Sequence, residues 1–373
     1  MKKNLLLLMS MFAMLVLNTS CNKWTEVEAE NIDKHLADAD STLAESHRKY
    51  LENLRAYKES DHQVTFGWYG GWSANGPKAR YLYHLPDSTD FVSIWGGWSN
   101  LTKEQQEDLH KSQKEKGLKA LTCVLMFQIG DAITPSKPEA DKDLTWNQWQ
   151  HKFWGWVDGD TTAINKAIMK YANALCDTID KYGYNGFDLD AEPSYPQPFE
   201  TNYEMWGGRG SNDTRRMELF IKTMAKRIGP KAETAEGRKK LLVVDGEPDW
   251  FPAYMGEYFN YFILQAYSCR SYTDLENRYE RLCRKFVPTM SRKEVAKKLI
   301  VTETFEQYAA TGGVTFTTRD GRTLPSYLGM ADWNPKDGVK GGIGSYHMEM
   351  DYAQTPVYKY LREGIQIMNP AAK

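Results

Sequence analysis

Three acids occupy alternate positions in Gly186-Phe187-Asp188-Leu189-Asp190-Ala191-Glu192, a run whose other members are apolar or small. Alternation along a strand puts Asp188, Asp190 and Glu192 on one face and Phe187, Leu189 and Ala191 on the other. Carboxylates stacked about 6–7 Å apart and shielded from water repel one another, at several kcal/mol per charge unless some are protonated or paired. Three chemistries use such a row. It can be a solvated acidic strand end, a divalent-metal site, or an acid–base centre whose close carboxylates drive each other's pKa values apart. The apolar opposite face implies burial and favours the last.

No competing motif is present. The sequence contains no H-E-x-x-H, G-x-S-x-G or P-loop, and its seven His are scattered. Metalloprotease, serine hydrolase and NTPase readings therefore have no support, and no cofactor or metal is called for. Cys123, Cys176, Cys269 and Cys283 form no C-x-x-C pair and read as buried free thiols. Glu247, Asp249 and Glu303 follow apolar runs and read as acids at the site's mouth, with Glu303 a candidate for binding substrate.

The acids need a scaffold, and the chain supplies a regular one. Apolar, β-prone runs fall at 64–68, 91–95, 120–127, 186–190, 240–245, 261–267, 298–302 and 342–346. Helical stretches separate many of them. Thr102 and Gln105 form a capping box opening a helix that Gly117 stops, and further helices are predicted at 161–182, 213–228 and 353–368. Eight strands alternating with helices predict an α/β fold of the (β/α)8 TIM-barrel type, with enlarged βα loops. A doubly wound open sheet is the runner-up, but no Gly-rich phosphate turn follows the first strand. Three inserts are long: 130–160, 193–212 and 303–335, the last with a hairpin around Asp320-Gly321.

The whole chain has 373 residues, 41% hydrophobic and 26% charged, with a mean hydropathy of −0.61. These values describe a globular protein and exclude disordered, collagen-like and multi-span membrane chains. Forty-seven basic and 49 acidic residues nearly cancel, so no nucleic-acid partner is expected. Lys2-Lys3, the apolar stretch 5–17 and Asn18-Thr19-Ser20 read as a signal peptide over 1–20, too short to span a bilayer. Cys21 resembles the acylated Cys of a bacterial lipobox. Lipidation there implies an exported chain anchored to a membrane, at the outer membrane or cell surface. Residues 21–60 then form a spacer and a lead-in helix over 41–58, and residues 61–373 the barrel. The sequence leaves the oligomeric state open.

The acidic strand resembles the D-G-x-D-x-D-x-E signature of glycoside hydrolase family 18, the chitinases and endo-β-N-acetylglucosaminidases, with Asn185 in place of the first Asp. The resemblance implies that Glu192 is the general acid, that Asp190 orients and stabilises the substrate's N-acetyl group, and that Asp188 supports it. It also implies substrate-assisted catalysis, in which the 2-acetamido oxygen attacks the anomeric carbon. In Gln265-Ala266-Tyr267 it places Tyr267 on the N-acetyl carbonyl, with Gln265 on the same face near the sugar. Tyr346 takes the place of the Trp that floors the site in chitinases, and the S-x-G-G pattern of the third strand is missing. These departures point to the endo-β-N-acetylglucosaminidase branch and the GlcNAc–GlcNAc core of N-glycans. The partner is then an N-acetylglucosamine-containing glycan or glycoprotein. A catalytically silent glycan-binding barrel, a chitinase and a metal-dependent phosphoesterase are the rivals.

Aromatic residues make up 13% of the chain, including 12 Trp. Trp72 and Trp98 lie in loops beside Gly-Gly pairs and are expected to stack on sugar or anchor the loops. Trp68 and Trp95 lie on the strand pattern, where core packing weighs equally. The cluster from Trp146 to Trp156 reads as either a glycan-facing wall or a folded insert.

Overall fold

The computed structural model describes residues 41–196 and 202–370, so Cys21 and the leader lie outside the described residues. Residues 54–370 make one compact unit. In the preceding unit, residues 41–53 are helical, and there Arg48 bridges Glu45 and Glu52.

The described residues contain ten strands: β1 (Val64–Tyr69), β2 (Phe91–Ile94), β3 (Lys119–Leu125), β4 (Gly186–Ala191), β5 (Leu241–Gly246), β6 (Phe262–Gln265), β7 (Leu299–Thr304), β8 (Thr315–Thr317), β9 (Thr323–Pro325) and β10 (Gly342–Tyr346). Eight close into a parallel barrel in the order β1-β10-β7-β6-β5-β4-β3-β2, while β8 and β9 form an antiparallel hairpin in the insert after β7. The fold is thus the predicted (β/α)8 barrel, each of the eight barrel strands falling on one of the apolar runs.

The helix signals act as their chemistry dictates. Thr102 accepts from the Gln105 N–H while the Gln105 side chain accepts from the Thr102 N–H, and Gly117 closes that helix in the left-handed region. Asp160 caps Thr161–Tyr182 by accepting from two N–H groups. Two expectations are corrected. The 213–228 helix is shorter, Arg215–Met224, and the last helix starts only at Lys359. A 3-10 turn at Met348–Ala353 precedes it, and Tyr358, in the left-handed region, stands directly before its first residue.

Alternation divides the barrel into two cores. Phe66, Leu121, Val243, Ile263 and Ile300 point inward and pack together, whereas Phe187, Leu189 and Ala191 point outward into the helical layer. Cys123, Cys176, Cys269 and Cys283 are buried and unpaired, as expected. Among the described residues no helix is long and apolar enough to cross a membrane.

Candidate active site

Asp188 sits above the inward apolar layer and is fully buried. Its Oδ2 accepts from the indole N–H of Trp68 on β1 (3.0 Å) and from Ser93 Oγ on β2 (2.6 Å). Trp68 is therefore an inward core residue with a polar task. Burial still pushes the Asp188 carboxyl up to about 6, against the hydrogen bonds that favour its charge.

Asp190 lies one inward step further along β4, opposite Asp245 in the β4–β5 ladder. Burial first, then the charges of Glu192 and Asp188, hold the Asp190 carboxyl well above the usual range. Asp245 is raised by burial and by Asp190 and Asp188, and it hydrogen-bonds with Asp190. Its Oδ1 accepts from Gln265 Nε2 at 3.0 Å. Asp188 Oδ1, Asp190 Oδ1 and Asp245 Oδ2 are all buried and have no conventional donor. Three buried acceptor oxygens so close together repel when all are charged, which favours protons held among the carboxyls. The aspartates thus form a proton-sharing group.

Glu192 follows β4 at the rim. The end of β5 passes so close that a Cβ on Gly246 would lie 3.2 Å from Glu192 Cγ and 2.5 Å from the Ala191 carbonyl. Gly246 also holds φ +78°, so glycine is required here twice over. Tyr267 stands across from the acids. Burial and the charges of Asp245, Asp190 and Glu192 raise its phenol well above 10, so it keeps its proton as a donor. Its ring lies 6.3 Å from Tyr346, which is also 6.3 Å from Trp68. Asp188, Asp190, Glu192, Gln265, Tyr267 and Tyr346 therefore gather at the carboxyl end of the barrel, the face where such barrels carry chemistry.

Other expectations are corrected. Trp72 and Trp98 do not face a ligand. Both are buried in the outer core, and their indole N–H groups donate to Asp108 Oδ2 (2.9 Å) and the Cys123 carbonyl (3.0 Å). Their loops fold back onto the helical layer, where apolar area is gained. Glu303 is no substrate ligand either. In β7, Ile300 is inward, so Glu303 three residues on is outward and fully buried. It accepts from the Ser268 and Thr304 N–H groups at 2.9 and 2.8 Å and from the Ser326 hydroxyl, tying loops together. Gln265 is engaged with Asp245. Trp149, Trp154 and Trp156 are buried with bonded indoles, so their insert is a folded unit that leaves only Trp146 exposed.

Asn185, the departure from the family signature, sits at the opposite end of β4 from Glu192. Its Oδ1 accepts from Ala120 N and Gln113 Nε2, joining β3, β4 and the Lys103–Lys116 helix. That task is structural, and an amide serves it well.

One position beside the acids, Asp245, was not singled out from sequence. Asp245 is an acid ending the apolar run Leu242-Val243-Val244, and that was its only signal. Trp95, for which the sequence weighs core packing equally, is exposed at the mouth one residue past β2. Cys123 Sγ and oxygens of Asp188 and Asp245 lie within 4.8 Å of one another. Burial and the adjacent acids hold the Cys123 thiol well above its ordinary value.

Residues 25–367 match the model of glycoside hydrolase family 18, BT1044-like. The chain is 31% identical to BT1044, solved as a selenomethionine Glu-to-Gln variant, with a TM-score of 0.72 over 90% of this chain and 95% of that one. It is 26% identical to endo-β-N-acetylglucosaminidase F2 of Elizabethkingia meningoseptica over 86% of each. An endo-β-N-acetylglucosaminidase from Cordyceps militaris, solved with fucosyl-N-acetylglucosamine-Asn, shares the fold at 21% identity and a TM-score of 0.58, covering 86% of this chain and 95% of that one.

Proposed function

Because the chain belongs to glycoside hydrolase family 18 in its BT1044-like group, we propose that it is a retaining endo-β-N-acetylglucosaminidase that cleaves the GlcNAc–GlcNAc core of N-glycans. The observation that carries this reading is the convergence of Asp188, Asp190 and Glu192 with Asp245 and Tyr267 at one barrel mouth. The relative from Elizabethkingia, whose name states that activity, supports the choice within the family.

In this mechanism Glu192 gives its proton to the glycosidic oxygen as the bond to the anomeric carbon breaks. The 2-acetamido oxygen of the same sugar attacks that carbon from the opposite face, forming an oxazolinium ion. Asp190 accepts from the acetamido N–H and carries negative charge beside the developing cation, while the Tyr267 hydroxyl donates to the acetamido oxygen and orients it. Asp190 can ionise in a buried place only if a neighbour keeps its proton, and Asp245, held well above the usual carboxylate range by burial and by Asp190 and Asp188, is placed to do so. Water then opens the ring, giving its proton back to Glu192, and two inversions leave the configuration retained.

Incubation with an N-glycosylated protein is expected to release the glycan and leave one GlcNAc on each Asn, read by mass spectrometry. Glu192→Gln, which keeps the shape and removes the transferable proton, is expected to abolish release while the protein stays folded. Unchanged release by that variant would refute the assignment of the acid, and glycan binding without turnover by the wild type would make the protein a silent binder.

A further inference from the structure

We propose that Trp95 is the stacking platform for a pyranose next to the one the acids act on, in a subsite built from the ends of β1, β2 and β10. The proposal rests on the glycosidase reading above and deepens it.

Among the described residues only two tryptophans are exposed, Trp95 (42%) and Trp146 (46%), and Trp95 alone follows a barrel strand. Phe91 and Ser93 face inward on β2, so Trp95 keeps their parity one residue beyond the strand and rises into the mouth. Leaving an indole exposed forfeits the apolar area that the neighbouring Trp98 buries. An exposed indole that is also held in place is a surface made for a flat apolar partner.

The holding is specific. Trp95 meets His347 edge-on, with ring centroids 5.3 Å apart at 83°, and leans against Tyr346 at 6.1 Å. His347 adopts a left-handed backbone (φ 53°, ψ 50°) directly after β10, a conformation uncommon outside glycine and one that functional sites retain. Its Nδ1 lies 2.6 Å from Glu349 Oε1, and Glu349 Oε2 accepts from the Gly70 N–H at 3.1 Å. Gly70 makes room for all of this. A Cβ there would come within 2.9 Å of Trp95 Cζ2 and of Glu349 Oε1, and within 3.1 Å of His347 Cε1.

The position selects the occupant. In the closed order, β10 lies opposite β4 and its acids, while β2, which Trp95 follows, is separated from β4 by β3 alone. Tyr346, which ends β10, is near enough to Asp190 for that charge to bear on its phenol and is in ring contact with Trp95. A sugar held by Asp190 and Tyr267 lies over Tyr346, and the adjoining ring of the same chain comes to Trp95. The ligand class is an uncharged pyranose presenting its C–H face. It belongs either to the released glycan or to the GlcNAc that stays on the peptide.

The test uses the Glu192→Gln protein and two probes titrated separately: a released N-glycan ending in one GlcNAc, and a GlcNAc-Asn peptide. Trp95→Ala in that background is expected to weaken at least one probe about tenfold, the loss of a well-placed aromatic contact with its buried area. The probe that weakens assigns the side of the scissile bond. In the active protein the same change raises KM for a glycopeptide by a similar factor and leaves kcat within about twofold. Trp95→Phe retains most of the affinity. Gly70→Ala, which leaves the indole present but pushes it out of place, lowers it. Affinities within about twofold for both probes in a folded Trp95→Ala protein overturn the platform. Absence of hydrolysis by the wild type overturns the enzymatic reading instead, and the titrations still decide the role of Trp95.

Discussion

Asp245→Asn is expected to leave the site working, and Asp245→Ala to cripple it. Asp245 Oδ1 accepts from Gln265 Nε2, while its Oδ2 faces the aspartate cluster with no conventional donor. An Asn side chain fits both demands, with its carbonyl on Gln265 and its amide N–H where the shared proton stood. Alanine removes that donor and leaves an Asp190 oxygen buried without one. A buried acceptor stripped of its partner costs about 1–3 kcal/mol, and more when charged. At about 1.4 kcal/mol per tenfold change in rate, kcat/KM should fall at least 10- to 100-fold in the Ala variant. The Asn variant should stay within about tenfold of the wild type. Initial rates on a labelled N-glycopeptide, with melting curves to establish folding, provide the assay. An Ala variant as active as the wild type, or an Asn variant as impaired as the Ala variant, would show that proton sharing through Asp245 has no part in supporting Asp190.

The same cluster sets a pH dependence of stability. Folding raises Asp188 from 3.8 to about 6, so the folded protein holds a proton that the unfolded chain releases. Its contribution is complete below about pH 4 and is lost as pH rises through about 6, on the order of 3 kcal/mol in all. Melting temperature should therefore decline less steeply over that window in Asp188→Asn, and parallel declines would refute the assignment. Trp98, buried and bonded to the Cys123 carbonyl, should behave as core: Trp98→Ala is expected to cost about 3–5 kcal/mol in denaturant unfolding. A loss of affinity at unchanged stability would return Trp98 to the glycan.

Much of this was legible in the sequence because it depends on local chemistry. The eight apolar runs became the eight barrel strands, the Thr102–Gln105 box began its helix, and the alternation Asp188, Asp190, Glu192 told which side chains share a face. What stayed hidden depends on neighbours far along the chain. Nothing near Asp245 says that β5 pairs in register with β4 and brings it beside Asp190. Trp72 and Trp98 sit in loops, where direction follows from tertiary packing and not from a period, so their burial could not be read. Trp95 and Glu303 are a different case. Their orientation follows from parity once the inward face of β2 and β7 is known, and the inward face is settled only when the barrel closes.

The packing below the acids has a consequence for how protons reach them. Phe66, Leu121, Val243, Ile263 and Ile300 fill the barrel beneath the aspartates, an apolar plug that conducts neither water nor ions. The acids open to solvent at the carboxyl end of the barrel, where a bound glycan covers them. The protons shared among Asp188, Asp190 and Asp245 are then set most freely before the sugar arrives, when the acids face solvent. Acidity of the medium is consequently sensed by the empty protein. Its signature belongs in kcat/KM, which reports the free enzyme, while kcat should run nearly flat across the same range.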